Sequence, residues 1–249
     1  MFSSFAAHGH VVSAACVLYA VLALASLGVA VGTRARPVSQ LRLQVNSWWL
    51  IFPVVSVCLA FYPAGPMALV VLIGALALRE LVALRGTASR NAWLTATFIA
   101  TMTGLGFLLA LMQLPLAPSH YLRWMFYLFV LTALNDVGQF IAGTTLGRQR
   151  IAPAISPNKT WQGLAGGVVL SIAVSLALGA WLDLAKLPKL AFLGAVLALG
   201  GFAGDLAYSA VKRRLGIKDF SQLIPGHGGI LDRVDSLVVT CPLLYLWIR

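Results

Sequence analysis

Hydrophobic positions along this chain gather into eight stretches that short polar segments separate. Most are close to the roughly 18 to 20 residues that a helix needs to cross a bilayer. Because a backbone in hydrocarbon must satisfy its own hydrogen bonds, each stretch is predicted to be helical. The second and last stretches are short enough to tilt or re-enter the membrane, so seven to nine spans remain open. The predicted spans cover residues 11–32, 48–63, 67–84, 92–113, 121–143, 164–182, 190–211 and 236–248.

Composition supports a bilayer as the solvent of this chain. Hydrophobic residues make up 60% of the sequence and charged residues only 10%, which does not describe a soluble surface. No polar segment between the stretches is long enough to form a separate soluble core. The predicted fold is therefore all-α, a polytopic transmembrane helical bundle. It forms one integral membrane domain over residues 1–249, with N-terminal spans in 1–120 and a catalytic half in 121–249.

Lysine and arginine residues predict how the bundle is oriented. The net charge is +11, but the basic residues lie in short loops and form no aromatic-interleaved patch, which argues against nucleic acid as a partner. Alternate loops hold fourteen of the 18 basic residues, so the positive-inside rule places those four loops in the cytoplasm. The fourteen are Arg34, Arg36, Arg42, Arg79, Arg85, Arg90, Arg148, Arg150, Lys159, Lys212, Arg213, Arg214, Lys218 and Arg233.

Acidic residues are scarce and concentrated. The chain has only seven, and four of them, Asp205, Asp219, Asp232 and Asp235, lie within about thirty residues of sequence. Asp136 and Asp205 fall inside predicted spans, where a carboxylate costs several kcal/mol unless it is paired or hydrated. Such residues usually serve function, although an internal ion pair that only fixes helix contacts is an open alternative.

The cytoplasmic end of the seventh span places three polar side chains on one face. Asp205, Ser209 and Lys212 are spaced i, i+4 and i+7, so they line one stripe of a continuous helix. A carboxylate, a hydroxyl and an ammonium in that order suit a magnesium-triphosphate group. In the plainer interpretation, the basic run from Lys212 to Arg214 is an anchor at the membrane surface.

The loop after this span is rich in glycine and charge. Gly226, Gly228 and Gly229 surround His227, an arrangement that lets the backbone approach phosphate closely. The last span then begins with an Asp-Arg-x-Asp run, in which the two carboxylates share a helical face and the arginine can clamp a phosphate. Taken alone, His227 could equally be an ordinary loop histidine. The residues of that run are Asp232, Arg233 and Asp235.

The preceding long loop offers a second set of contacts. Asp136, with Gln139 and Gly143, falls on one helical face at the end of the fifth span. Ser156 and Pro157 are predicted to form a turn that leads into the sixth span. Lys159 and Thr160 would then contact phosphate or a lipid headgroup near a helix N-terminus. The alternative is a cytoplasmic anchor with Trp161 at the membrane interface.

These residues resemble a known family. The run of Ser209, Lys212, Arg213, Lys218, Asp219, Pro225 to Gly229, Asp232, Arg233 and Asp235 is similar to the C-terminal motif of CTP:phosphatidate cytidylyltransferases, also called CDP-diacylglycerol synthases. Residues 156–163 resemble a second cytoplasmic motif of that family. The chain departs from the pattern at Tyr208, where some members carry Glu, and at Arg148, where Lys is common.

The resemblance implies transfer of a cytidylyl group from CTP to phosphatidate, with Mg²⁺ held at Asp205 and Asp232. It also implies a monovalent cation such as K⁺ nearby and a homodimer among membrane lipids. Asp219 and Asp235 would orient the basic residues or the metal's outer ligands. The catalytic assignments are Asp205, Ser209, Lys212, Arg213, Lys218, Asp219, His227, Asp232, Arg233 and Asp235. The substrate-binding assignments are Asp136, Ser156, Lys159, Thr160, Gly226, Gly228 and Gly229.

Three other functions stay open from the sequence. A CTP-dependent polyprenol or lipid kinase would transfer the γ-phosphate instead of the cytidylyl group. An ion-coupled transporter would use Asp136 and Asp205 as relay carboxylates, but it leaves the glycine-rich and Asp-Arg-x-Asp segments unexplained. A catalytically silent membrane scaffold would tolerate loss of Asp232.

Overall fold

The structure, a computed structural model, describes residues 2–32, 40–224 and 228–249. Most of these residues are helical, and one short β-hairpin lies between the fifth and sixth helices. The helices are α1 (Phe2–Gly32), α2 (Gln40–Ala60), α3 (Ala64–Ala83), α4 (Ala88–Ala110), α5 (Pro118–Leu146), α6 (Trp161–Trp181), α7 (Leu187–Arg214), α8 (Leu231–Val234) and α9 (Leu237–Ile248). A 3₁₀ turn, Leu111–Gln113, follows α4, and the hairpin strands are β1 (Arg150–Ala152) and β2 (Ser156–Thr160).

The predicted transmembrane helical bundle is confirmed. Among the described residues, six helices are long and apolar enough to cross a membrane, which makes this an integral membrane protein. Each of the other two predicted spans is also a helix. The apolar part of α2 is Val45–Ala60, and α9 has 12 residues, or about 18 Å at about 1.5 Å per residue. Of the two spans that the sequence marked as short, α9 falls below spanning length, whereas α2 has 21 residues in all.

A stripe of small residues on α6 holds the centre of the bundle together. Every fourth residue of α6 is buried, and each of these is glycine or serine. Membrane helices use such stripes to bring their backbones close together. Both α5 and α7 pack against α6, which places the helices that carry Asp136 and Asp205 beside it. The buried positions are Gly163, Gly167, Ser171, Ser175 and Gly179.

The hairpin between α5 and α6 corrects one prediction. Ser156 and Pro157 do not form a turn, because both lie in β2, which pairs with β1 in antiparallel register. The turn falls earlier, at residues 153–155, where Pro153 fixes a backbone angle suited to turns. Pro157 is tolerated because both strands of a two-stranded sheet are edges. The prediction that Lys159 and Thr160 lie at a helix N-terminus is confirmed, since α6 begins at Trp161.

Three of the four basic loops meet at one end of the bundle. The Arg213 guanidinium on α7 donates to the carbonyl oxygen of Ile155 in the hairpin at 3.0 Å. The Arg214 guanidinium, also on α7, lies 4.5 Å from the ring centre of Trp93 on α4. The distribution of basic residues predicted this shared end. Arg34 and Arg36 of the first basic loop lie outside the described residues.

Candidate active site

A polar cleft of about 270 Å³ opens at this end of the bundle. Residues from α5, β2, α6, α7 and the segment around α8 line it, so parts of the chain that are far apart in sequence meet here. Nine of the predicted site residues line the cleft: Asp136, Lys159, Thr160, Asp205, Lys212, Asp219, Asp232, Arg233 and Asp235.

The charges in this cleft do not balance. Among the described residues that line it, five carboxylates face three cations, so the cleft carries two net negative charges when all are ionised. A phosphate-bearing substrate is itself an anion and would be repelled by this excess. In that fully ionised state, an additional cation in the cleft would favour binding of such a substrate.

Asp205 is held by contacts from two elements. The Ser209 hydroxyl, one turn later on α7, donates to Asp205 Oδ1 at 3.3 Å. Lys159, at the end of β2, places its ammonium 2.7 Å from Asp205 Oδ2. The predicted alignment of Asp205 and Ser209 on one helical face is confirmed. The ion pair also holds the hairpin against the C-terminal part of α7.

Asp232 is buried and accepts hydrogen bonds from three groups. The Lys212 ammonium donates to Asp232 Oδ1 at 2.6 Å, and both residues are buried. The backbone N–H groups of Phe220 and Gly229 donate to Asp232 Oδ2 at 3.0 Å and 2.9 Å. Asp232 thereby joins the end of α7 to both sides of the glycine-rich loop.

Asp235 approaches α7 at a glycine. A Cβ on Gly204 would overlap the backbone carbonyl of Asp235, so only a residue without a side chain allows this approach. The Ser236 hydroxyl secures the same contact by donating to the Gly201 carbonyl oxygen at 3.1 Å. Burial, followed by the negative charges of Asp205 and Asp136, raises the pKa of Asp235. Nearby basic side chains lower that pKa, but by less.

The carboxylates of Asp205 and Asp232 fit a magnesium ion. Magnesium prefers oxygen ligands, and proteins often supply only one or two carboxylates, leaving water and substrate phosphate to complete the shell. A carboxylate offers about four lone-pair directions, of which the contacts above occupy two on Asp205 and three on Asp232. Among the described residues, no group of three or more Asp, Glu, His or Cys side chains could hold a metal by itself. The donor set therefore suits an ion that shares its shell with substrate.

Several predicted residues lie outside the cleft. Arg213 is exposed and donates to the carbonyl oxygens of Ile155 and Ile217, while Lys218 is exposed and Ser156 lies in β2. Their roles stay predictions. Gly226 and His227 lie outside the described residues.

Gly228 and Gly229 lie next to carboxylates of the protein itself. Gly228 has a φ of +78°, and a Cβ there would lie 2.9 Å from Asp232 Oδ2. The Gly229 N–H already donates to that same oxygen. Both glycines allow a close approach of the backbone, as predicted. The groups that the backbone approaches are carboxylates of the protein and not a phosphate. A role in binding substrate stays a prediction for both.

Sequence reasoning assigned no site role to two amide side chains and one carboxylate. Gln139 and Asn158 line the cleft, and Gln139 Nε2 is a buried donor with no hydrogen-bond partner among the described residues. The only signal for Gln139 was its spacing from Asp136 on α5. Glu80 is buried on α3 and binds the glycine-rich loop. The available signal was that Glu80 is a rare acidic residue within an otherwise apolar helix.

Thr160 has a structural role that is independent of any substrate. Its hydroxyl accepts a hydrogen bond from the Gly163 N–H at 3.0 Å, which caps the first turn of α6. The cap fixes where the hairpin ends and α6 starts, and hence where Lys159 reaches Asp205.

Comparison with known proteins gives consistent results. A 123-residue segment is 42% identical to the uncharacterized protein YnbB of Escherichia coli K12, covering 49% of this chain and 41% of that protein. A 127-residue segment is 42% identical to a phosphatidate cytidylyltransferase of Staphylococcus epidermidis, covering 51% of this chain and 49% of that protein. A 142-residue segment is 39% identical to the enzyme of the same name from Staphylococcus saprophyticus, covering 57% of this chain and 53% of that protein. The chain thus spans about half the length of the curated relatives it matches.

A family model covers a larger part of the chain. Residues 86–249, about two thirds of the sequence, match the model of the cytidylyltransferase family. The matched region contains α4 to α9 and all the residues that line the cleft. This chain belongs to the cytidylyltransferase family.

Proposed function

We propose that this protein transfers the cytidylyl group of CTP to phosphatidate, forming CDP-diacylglycerol and pyrophosphate. The observation that carries the proposal is the meeting of Asp205 and Asp232 in one polar cleft at the end of membrane helices. Family membership and the names of the staphylococcal relatives support the same chemistry.

The reaction needs charge compensation more than it needs a base. A phosphate oxygen of phosphatidate attacks the α-phosphorus of CTP, a new P–O bond forms, and the bond to the departing pyrophosphate breaks. The attacking phosphate is already ionised at neutral pH, so no general base has to remove a proton. Lys159, Lys212 and Arg233 line the cleft and would neutralise charge on the attacking and leaving oxygens.

The residues present suit a divalent cation. Mg²⁺ held by Asp205 and Asp232 would offset the two excess negative charges and stabilise charge on phosphate oxygens. In the chain as described, Lys159 and Lys212 already neutralise these same two carboxylates. We propose that the ammonium groups turn to the substrate phosphates when substrate binds. A nearby K⁺ and a homodimer remain proposals that rest on the family resemblance.

The position of the cleft suits a lipid acceptor. Asp136 and Asp205 lie on α5 and α7, about two thirds of the way along helices of spanning length. Phe140 lines the cleft and is 61% exposed, and the neighbouring Ile141 is 53% exposed. These apolar surfaces give acyl chains a route from the bilayer to the polar residues. The distribution of Lys and Arg supports a cytoplasmic opening, from which CTP would enter.

The departure from the family pattern at Tyr208 does not alter the cleft. Its hydroxyl shares a hydrogen bond of 2.6 Å with the Thr101 hydroxyl on α4, and it is buried away from the cleft lining. Tyr208 is not among the described residues that line the cleft, so this departure gives no reason to propose a different acceptor.

Labelled CTP tests the proposal. Purified protein in detergent would be incubated with Mg²⁺, phosphatidate and CTP labelled at either the α- or the γ-phosphorus, and the lipid extract separated by thin-layer chromatography. We expect the α-label in lipid and the γ-label in pyrophosphate. Label from the γ-position in lipid would instead establish a kinase, and the absence of any labelled lipid would reject both.

A further inference from the structure

A carboxylate outside the family-matched region supports the glycine-rich loop. Glu80, on α3, is only 5% exposed. Its Oε1 accepts hydrogen bonds from the Ser221 hydroxyl at 2.6 Å and from the Ile230 N–H at 2.7 Å. Its Oε2 accepts one from the Leu231 N–H at 3.2 Å. All three donors lie about 140 to 150 residues later in the chain.

Burial of this carboxylate needs an explanation. Among the described residues, no lysine or arginine forms an ion pair with Glu80. A buried charge without an opposite charge is costly, and hydrogen-bond donors are the remaining compensation. The three donors lie on two described segments, one at residue 221 and the other at residues 230–231. The contact thus holds both segments against α3.

Gly229 connects the Glu80 contact to the cleft. A Cβ at Gly229 would lie 2.6 Å from both Glu80 carboxylate oxygens, so the backbone passes directly over that carboxylate. The N–H of the same residue donates to Asp232 Oδ2 at 2.9 Å. One stretch of backbone is therefore held between Glu80 on one side and Asp232 on the other.

We propose that Glu80 is a positioning residue that sets the orientation of the Asp232 carboxylate by holding residues 229–231 against α3. The role in catalysis rests on the function proposed above. The N-terminal spans then contribute to the active site, which the assignment of catalysis to residues 121–249 left out. Among the described residues, the hydrogen bonds of Glu80 come from three residues that do not line the cleft, so it acts through the loop.

Amide hydrogen exchange tests this without relying on activity. Glu80→Gln keeps the size of the side chain but removes its charge and one acceptor oxygen, and Glu80→Ala removes both acceptors. The control is Arg79→Ala, an exposed residue on the same turn of α3. Exchange would be followed by mass spectrometry in two peptides, one containing Ile230 and Leu231 and the other containing Phe220.

The Phe220 peptide is the decisive reporter. Its N–H donates to Asp232 and not to Glu80, so it reports whether Asp232 keeps its place. In the Glu80 variants, we expect both peptides to exchange about ten-fold faster, because the loop loses charge-assisted hydrogen bonds to Glu80. In Arg79→Ala, we expect exchange of both peptides at the wild-type rate. Faster exchange at Ile230 and Leu231 alone would overturn the positioning role. Faster exchange throughout α5 to α7, or no change anywhere, would overturn it as well.

Kinetics separate this proposal from the proposed function. If the wild type transfers cytidylyl groups, Glu80→Gln should lower kcat about ten-fold while the thermal unfolding midpoint stays near that of Arg79→Ala. Unchanged kcat in Glu80→Gln would reject the catalytic part of the proposal. If the wild type transfers nothing, the proposed function fails, and the exchange of the Phe220 peptide still decides whether Glu80 positions Asp232.

Discussion

The Lys212 ammonium lies 2.6 Å from the Asp232 carboxylate, and this buried ion pair joins the end of α7 to the loop before α9. Breaking a buried pair by removing one partner leaves an uncompensated charge and costs about 3–5 kcal/mol. Asp232→Asn should be more destabilising than Lys212→Met, because Asp232 keeps two backbone N–H donors when Lys212 is lost. Thermal unfolding of the purified variants measures the difference.

The double variant Lys212→Met with Asp232→Asn provides the control for this pair. It should unfold at a higher temperature than Asp232→Asn alone, since no buried ammonium is left without its partner. Activity should not return, because both side chains line the cleft. If the two substitutions destabilise additively, the pair makes no net contribution and this account of it is wrong.

Gly204→Ala should separate α7 from the turn that carries Asp235. The added methyl group would overlap the Asp235 carbonyl oxygen, so the backbone has to move. We expect at least about a ten-fold loss of cytidylyl transfer, because displacements of an ångström are enough to impair catalysis. Gly106→Ala on α4 is the matched control, since a Cβ there meets nothing within 4 Å. Equal activity of the two variants would contradict the proposed contact.

Thr160→Ala should destabilise the start of α6 by about 1 kcal/mol, the usual contribution of an N-cap hydroxyl. Thr160→Ser keeps the oxygen that accepts from the Gly163 N–H, so it should retain most of that stability. Thermal unfolding of both variants provides the comparison. A serine variant as unstable as the alanine variant would show that the methyl group matters and the cap does not.

Two arginines of the predicted site should differ in their effect on activity. Arg233 lines the cleft, whereas Arg213 donates to the backbone carbonyls of Ile155 and Ile217 at the protein surface. Arg233→Ala should lower kcat about 100-fold, the usual effect of removing a group that stabilises transition-state charge. Arg213→Ala should lower it only a few-fold. A larger effect at Arg213 than at Arg233 would contradict this expectation and support the predicted catalytic role of Arg213.

Local spacing predicted the parts of the site that lie on single helices. Asp205 and Ser209 are one turn apart on α7, and Asp232 and Asp235 are three residues apart, so helical geometry alone placed each pair on one face. The apolar stretches likewise predicted the spans, because only helices satisfy a backbone in lipid.

Contacts between distant segments could not be predicted in this way. Glu80 and Ser221 are separated by most of the chain, and no periodicity relates them. The hairpin was missed because the turn was assigned to Pro157, although Pro153 provides it. In both cases tertiary packing decides the outcome, and the local sequence permits more than one conformation.

The most direct test of the central claim compares three carboxylate variants in the same transfer assay. Asp205→Asn and Asp232→Asn remove charge from the cleft, whereas Asp183→Asn removes it from an exposed residue outside the cleft. Asp183 has a φ of +52°, a conformation that asparagine also adopts readily. We predict that label from α-labelled CTP reaches phosphatidate at wild-type rates in Asp183→Asn and at least about 100-fold more slowly in the other two. Wild-type transfer by either Asp205→Asn or Asp232→Asn would contradict the account.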